Sequence, residues 1–261
     1  MSIDVAGRTD PGRRRPKNED QYLIAGLEPE VVVFDASFRS TLGDPSRASP
    51  PLVMAVADGM GGHGGGDVAS RVVMQAVLRG FEHKDDLQQI ISDAQRDLDD
   101  EAQQRPDHPT MGTTLTVVQV DPPGLVVGHV GDSRAYLLRD GNLEQLTTDH
   151  TLAEQLKREL RSDQDTGPDS PMHHILYNAL QAHSDREPKP DVFRLDIRDE
   201  DVVMLCSDGL TKEVPEDVIL RGLAEGTTSR AIVDRLVTTA RDAGGSDNIT
   251  VVVLRLKPQS S

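Results

Sequence analysis

The chain has 261 residues, enough for one large domain or two small ones. Aromatic content is only 3% with no Trp, so the core must be aliphatic, and a formal net charge of −16 argues against nucleic acid or an anionic membrane as a partner. The single cysteine, Cys206, excludes an internal disulfide, and no apolar run approaches the roughly 18 residues of a membrane span, so the chain reads as cytoplasmic.

Residues 1–21 are polar, with Arg13-Arg14-Arg15 followed by Asn18-Glu19-Asp20. Tyr22 to Leu27 and Val31 to Phe34 are predicted strands. Arg39 to Pro51 is rich in Ser, Pro and Gly, which makes residues 28–51 a hairpin and loop extension. Leu52 to Ala57 is an apolar strand ending at Asp58. A glycine-dense turn follows, then a helix from Val68 to Phe81 with Val68, Val72, Val73, Ala76 and Val77 on one stripe. Leu87, Ile90, Ile91, Ala94 and Leu98 mark a second amphipathic helix, broken at Arg105-Pro106-Asp107-His108-Pro109. Four strands come next: Thr113 to Val120, Leu125 to Val130, Arg134 to Leu138 and Leu143 to Leu146. Their turns lie at Asp121-Pro122-Pro123-Gly124 and Asp140-Gly141-Asn142. Asp149 to Leu160 is predicted helical, and Arg161 to Ser170 a mobile polar loop. Strands are expected at Val192 to Ile197 and Val202 to Ser207, helices at Glu216 to Leu223 and Ser229 to Ala243, and a closing strand at Ile249 to Leu256. Thr228 is placed to cap the second of those helices. No repeat or linker interrupts residues 1–261, which read as a single domain. Regular β-α alternation is missing, so an α+β layered fold with mostly antiparallel sheets is expected.

The chemistry lies in acids at strand ends. Asp-Gly occurs three times; Asp140-Gly141 sits between two strand runs and is a hairpin turn. Asp58-Gly59 and Asp208-Gly209 each end a buried strand, where an acid is costly unless solvated or partnered. Asp132 follows an apolar run, Asp247 precedes the last strand, and Glu19 and Asp20 precede the strand from Tyr22. The glycine turn after Asp58 is equally a plain tight corner, and no Gly-Lys-Ser/Thr follows it to make a nucleotide loop. If these five segments converge, the site is carboxylate-only, which suits Mg²⁺ or Mn²⁺ and lacks the His and Cys that zinc prefers. Two such ions about 3.5–4 Å apart can activate a water for in-line attack on phosphorus. Arg15 could grip the phosphate with both arms of its guanidinium.

Six segments in order carry a family likeness: Arg15-Pro16-Lys17-Asn18-Glu19-Asp20, Val56-Ala57-Asp58-Gly59-Met60-Gly61-Gly62-His63, Met111-Gly112-Thr113-Thr114, Gly131-Asp132-Ser133-Arg134, Ser207-Asp208-Gly209-Leu210 and Asp247-Asn248-Ile249-Thr250. Together they resemble the metal-dependent protein phosphatase family, protein phosphatase type 2C, in its bacterial form. The resemblance implies a four-layer αββα sandwich with two central, mostly antiparallel sheets. It implies two Mn²⁺ or Mg²⁺ ions bridged by Asp58. Asp208 and Asp247 would complete the first position, Glu19 and the carbonyl oxygen of Gly59 the second, and Asp132 with Asp208 a weaker third. Asp20 would orient a water, Arg15 would bind substrate phosphate, and Thr113 and Thr114 would support the site. The implied reaction is hydrolysis of phosphoserine and phosphothreonine by direct attack of a metal-bridging hydroxide. Phosphorylated proteins, with a cognate Ser/Thr kinase and its clients, are the implied partners. The alternative is a catalytically weak, metal-binding relative serving as a regulatory or docking module.

Some departures from the family pattern stand out. Met60 occupies the place where some eukaryotic members carry a His proposed as general acid, and His63 lies nearby on the glycine turn. Residues 150–190 align with the family's variable flap, whose Asp163, Asp165 and Asp169 read first as solvated loop charge and alternatively as a means of repelling acidic substrates, and Leu180-Gln181 stands where a Leu-Gly pair is usual.

Overall fold

The computed structural model describes residues 2–27, 30–35, 40–42, 49–61, 65–105, 110–160 and 170–257. Its strands are β1 (Ser2–Asp10), β2 (Gln21–Leu27), β3 (Glu30–Asp35), β4 (Ser40–Leu42), β5 (Leu52–Ala57), β6 (Gly59–Met60), β7 (Gly112–Thr113), β8 (Leu115–Asp121), β9 (Gly124–Val130), β10 (Arg134–Arg139), β11 (Asn142–Gln145), β12 (Leu180–Gln181), β13 (Asp191–Asp196), β14 (Val202–Cys206) and β15 (Ile249–Lys257). The helices are α1 (Gly66–His83), α2 (Leu87–Gln104), α3 (Leu152–Leu160), α4 (Asp208–Thr211), α5 (Glu216–Glu225) and α6 (Ser229–Ala243).

Seven strands form one sheet in the order β13-β9-β8-β5-β2-β3-β4, and five form the other in the order β1-β15-β14-β10-β11. Neighbouring strands in both run antiparallel. Ile24, Met54 and Val118 of the larger sheet meet Leu205, Val252 and Leu254 of the smaller across the middle of the molecule. The alternate residues face outward. Leu23, Val53 and Val117 pack under Val73 and Val77 of α1 and Ile90 and Ile91 of α2. Met204, Val251 and Val253 pack under Ile232, Val233, Leu236 and Val237 of α6, with Ile219 and Leu223 of α5. Three apolar layers therefore separate four layers of structure, the αββα sandwich. Strands covered on both faces lose polar alternation, which is why Leu52–Ala57 and Val202–Cys206 are continuous apolar runs.

The periodic helices form where their stripes put them. Thr228 caps α6, its hydroxyl oxygen accepting the Ala231 N–H at 3.2 Å. Gly80 brings α1 onto α2: a Cβ there would lie 2.4 Å from Ile90 Cγ1. The Asp140-Gly141 hairpin has both central residues at positive φ, 51° and 78°, the backbone a two-residue turn of this hand needs.

Several elements differ from the sequence expectation. β1 precedes the strand expected to be first and pairs with β15 from Ser2↔Lys257 to Asp10↔Ile249. It lies at a sheet edge, and only Ile3, Val5 and Ala6 of its side chains with an apolar body are buried, so its pattern is weak. Part of the loop expected over Arg39 to Pro51 forms β4. The glycine corner carries a two-residue strand, β6, which joins β7 and β12 in a small ribbon. Leu180-Gln181 supplies β12, pairing with Thr113 and Gly112. α3 starts at Leu152 rather than Asp149, because the backbone before it pairs with another segment: the His150 carbonyl accepts the Tyr177 N–H at 3.0 Å and Thr151 forms an antiparallel bridge with Leu176.

The inter-sheet layer predicts a graded response to truncation. Leu205→Ala, at a fully buried position between the sheets, should cost about 2–5 kcal/mol. Val192→Ala, at a position 39% exposed, should cost well under about 1 kcal/mol. Urea unfolding of both variants checks the difference.

Candidate active site

The edge where strands of both sheets end gathers every acid expected to hold a metal, with Asp20 buried directly behind. Glu19, Asp58, Asp132, Asp208, Asp247, Gly59 and Arg15 line one cleft of about 1450 Å³. Its opposite wall comes from the flap and includes Gln155, His174, Tyr177, Asn178, Arg186 and Lys189. His63 and the flap acids Asp163, Asp165 and Asp169 lie outside the described residues, as do Pro106 to Pro109.

Backbone bonds fix each acid. Asp58 leaves β5 with its N–H donated to Thr114 Oγ1 at 3.0 Å, while its carbonyl accepts from Thr113 Oγ1 and Thr114 N–H, both at 2.9 Å. The two threonines thus support the site through the main chain of Asp58. Gly59 must be glycine for space: a Cβ would sit 2.2 Å from the Gly66 carbonyl oxygen and 2.6 Å from that of Glu19. Glu19 donates its N–H to Asn248 Oδ1 at 2.8 Å, and its carbonyl accepts from Ser70 Oγ at 2.7 Å. Asn248 Nδ2 donates to the carbonyls of Pro11 and Lys17 at 3.0 and 2.9 Å, so one amide clamps the 11–19 loop beside β15. Asp132 follows Gly131, whose N–H donates to His150 Nδ1 at 3.1 Å and whose carbonyl accepts the His150 N–H at 2.7 Å. Asp208 opens α4, and Gly209 packs so tightly on β15 that a Cβ would lie 1.9 Å from the Asn248 carbonyl oxygen.

The charges are crowded. Asp20 is fully buried, and its Oδ2 accepts hydroxyls from Ser207 and Thr250, both at 2.7 Å. Burial outweighs those two bonds and pushes its carboxyl up to about 7. Burial, then Asp208, raises Asp132 to about 7 as well. Asp58 still touches solvent, but protein surrounds it; that burial, followed by the charges of Asp20, Asp208 and Asp132, holds it well above the usual carboxylate range. Glu19 is raised by burial and by Asp67. Asp247 goes the other way: burial opposes its charge, yet the Arg15 hydrogen bond and the Lys212 ammonium prevail and lower it. Arg15 reaches Asp247 with Nε at 2.8 Å and Nη2 at 2.9 Å. Lys212 Nζ lies 2.5 Å from Asp208 and 3.1 Å from Asp247.

A family model for protein phosphatase 2C matches residues 46–252. The chain belongs to that family. It is 34% identical over 257 residues to the serine/threonine phosphatase stp of Listeria monocytogenes serotype 4b, spanning 95% of this chain and 93% of that one. It is 36% identical over 263 residues to the serine/threonine protein phosphatase PstP of Mycobacterium tuberculosis, spanning 97% of this chain and 45% of that one. The crystal structure of M. tuberculosis PstP/Ppp superposes with a TM-score of 0.79 at 30% identity, over 99% of this chain and 100% of that one. The PstP catalytic domain in complex with 2 manganese ions superposes with a TM-score of 0.76 at 31% identity, over 98% of this chain and 99% of that one.

For this phosphatase 2C chain, the donor set can be tested against divalent cations. The cleft acids offer oxygen only, the preference of Mg²⁺ and Mn²⁺. Among the described residues, Asp20 Oδ1, Asp67 Oδ1 and Asp208 Oδ1 are buried without a hydrogen-bond partner, a costly state that a cation would relieve. Among the same residues no three acids or histidines already stand in metal-holding geometry. Two of the expected ligands, Asp208 and Asp247, are instead held by Lys212 and Arg15, so loading requires these side chains to let go. The residue types fit; the arrangement is that of a cluster neutralised from within.

Lys212, Ser207, Thr250 and Asn248 shape this site without having been given roles from the sequence. The last three lie within or beside the motifs quoted above, and a polar side chain next to a buried acid is the signal that marks them. Lys212 is marked by its spacing of four from Asp208, one helical turn on.

A pH response follows from the raised acids. In the folded chain Asp20 keeps its proton to about pH 7, against 3.8 for an unperturbed Asp. Between those values the folded state binds more protons than the unfolded one, so metal-free stability should fall as pH rises. Thermal melts in chelator from pH 4 to 7 should show the decline, and Asp20→Asn should flatten it.

Proposed function

We propose that this chain hydrolyses phosphoserine and phosphothreonine in proteins with the help of two Mn²⁺ or Mg²⁺ ions held in the acidic cleft. The observation that carries the proposal is the meeting of Glu19, Asp58, Gly59, Asp208 and Asp247, from segments far apart in sequence, in one cleft. Asp58 would be shared by both ions, Asp208 and Asp247 would complete one position, and Glu19 with the Gly59 carbonyl oxygen the other. Asp132 with Asp208 would hold a third, weaker ion. When bound, such ions stabilise charge on phosphoryl oxygens and make a water acidic enough to ionise near neutral pH.

The remaining chemistry belongs to side chains. Asp20 is held by Ser207 and Thr250 through one oxygen, which leaves Oδ1 to accept a proton from water. A carboxylate held in this way is placed to act as a general base toward a water in the cleft. Arg15, with a side chain 53% exposed at the cleft edge, would turn from Asp247 to take substrate phosphate in a two-armed grip. Met60 cannot donate a proton to the leaving alkoxide, so this protonation falls to solvent or another group. The whole described chain would work as one phosphatase domain. Phosphoproteins are the substrates this reading calls for, and a cognate Ser/Thr kinase the natural partner. Among the described residues no helix is long and apolar enough to cross a membrane. A cytoplasmic setting fits the lone, buried, unpaired Cys206. A purely regulatory module would be expected to have lost a metal acid, and none is missing.

Phosphate release from a phosphothreonine peptide should require Mn²⁺ or Mg²⁺ and stop in excess chelator; full activity in chelator would sink the two-metal reading. Asp58→Asn and Asp208→Ala should each remove activity while circular dichroism stays native. Arg15→Ala should raise KM by about 10–100-fold, the loss expected for one charge-assisted grip, with the change read from steady-state kinetics.

A further inference from the structure

Lys212 caps the C-terminal end of the short helix α4 that Asp208 begins, and its N–H donates to the Asp208 carbonyl at 2.8 Å. Its ammonium sits 2.5 Å from Asp208 Oδ2 and 3.1 Å from Asp247 Oδ2. Its neighbour Glu213 accepts the Ser246 N–H at 2.9 Å, which ties the backbone beside Lys212 to the loop carrying Asp247. The ammonium is therefore aimed at two carboxylates, one opening α4 and one in the loop before β15, by local structure on both sides. Its side chain is 28% exposed, so it has a route to solvent when released.

We propose that Lys212 is a built-in counter-ion that competes with divalent cations for Asp208 and Asp247, and so sets the affinity of the metal position these two acids share. This role presupposes that the two acids hold a metal, as proposed above. Without a divalent ion, Asp208, Asp247, Asp58 and Asp132 repel one another, and the ammonium relieves part of that repulsion. With one, the same oxygens must be given up, and the displaced positive charge remains nearby. Both effects weaken cation binding relative to a site with no internal rival. Folding is thereby protected when metal is scarce, at the expense of affinity. Arg15 holds Asp247 too but not Asp208; Lys212 alone among the described cations spans both.

The test is Mn²⁺ titration by calorimetry on the full chain, with wild type, Lys212→Met and, as a control of equal charge, Lys189→Met from the far wall. Lys212→Met should bind Mn²⁺ about tenfold more tightly at its strongest site, the order expected for removing one nearby like charge. It should melt lower than wild type in chelator, and gain more in melting temperature on saturation with Mn²⁺. Lys189→Met should match wild type in both. Lys212→Gln keeps a hydrogen-bond donor without the charge and gives the same comparison where the Met variant folds poorly. Unchanged or weaker Mn²⁺ binding in the Lys212 variants, with Asp208→Asn abolishing it, would overturn the counter-ion role and leave the metal reading standing. A wild-type chain that binds no Mn²⁺ would overturn both.

Discussion

Like charges forced together at the mouth of a buried core are the constraint around which this molecule is built. Asp20, Asp58, Asp132, Asp208 and Asp247 would each be tolerable at a solvated loop tip. Where they are brought behind or into one cleft, burial and then the neighbouring negative charges push the carboxyls of Asp20, Asp58 and Asp132 up. Such a cluster survives only if protons, internal cations or bound metal ions neutralise it. The structure displays the first two answers, in the raised acids and in the grip of Arg15 and Lys212 on Asp247. The third is the one catalysis needs.

The scaffold's contribution is to hold the acids in place while their charges push apart. It does so through neutral hydrogen bonds to the main chain rather than through the carboxylates. Thr113 and Thr114 secure the backbone of Asp58, Asn248 secures that of Glu19, and Ser70 takes the Glu19 carbonyl. The carboxylates of Asp58 and Glu19 take no part in those anchoring bonds. Glycines permit the close approaches, with Gly59 against Gly66 and Gly209 against Asn248. The sandwich supplies rigidity, since β5, β14 and β15 are fully packed right up to the acids that terminate or precede them.

Much of this was legible in the chain. Runs such as Leu52–Ala57 and Val202–Cys206 announce strands covered on both faces, and the acids that follow them stand out because nothing apolar explains them. The helical stripes of α1, α2 and α6 were equally plain. β1 was hidden because it is an edge strand with few buried apolar side chains and no regular alternation, and its partner β15 is far away in sequence. The early portion of the expected helix at Asp149 was lost to tertiary contacts, the backbone pairing of His150 and Thr151 with Tyr177 and Leu176, that local propensity cannot see. Lys212 carries only a weak mark in the sequence, its spacing of four from Asp208; the meeting of α4 with the Asp247 loop is what gives it meaning.

The clamp made by Asn248 has a consequence for biosynthesis. It joins Pro11 to a residue 237 positions later, and β1 closes onto β15 across a similar span. Such distant closures form slowly and late. A ribosome-bound chain that has emerged only as far as α6 already carries Glu19, Asp58 and Asp208, yet lacks the residue that fastens the 11–19 loop beside them. Phosphatase competence is therefore withheld from a nascent chain until the segment carrying Asp247, Asn248 and β15 has emerged.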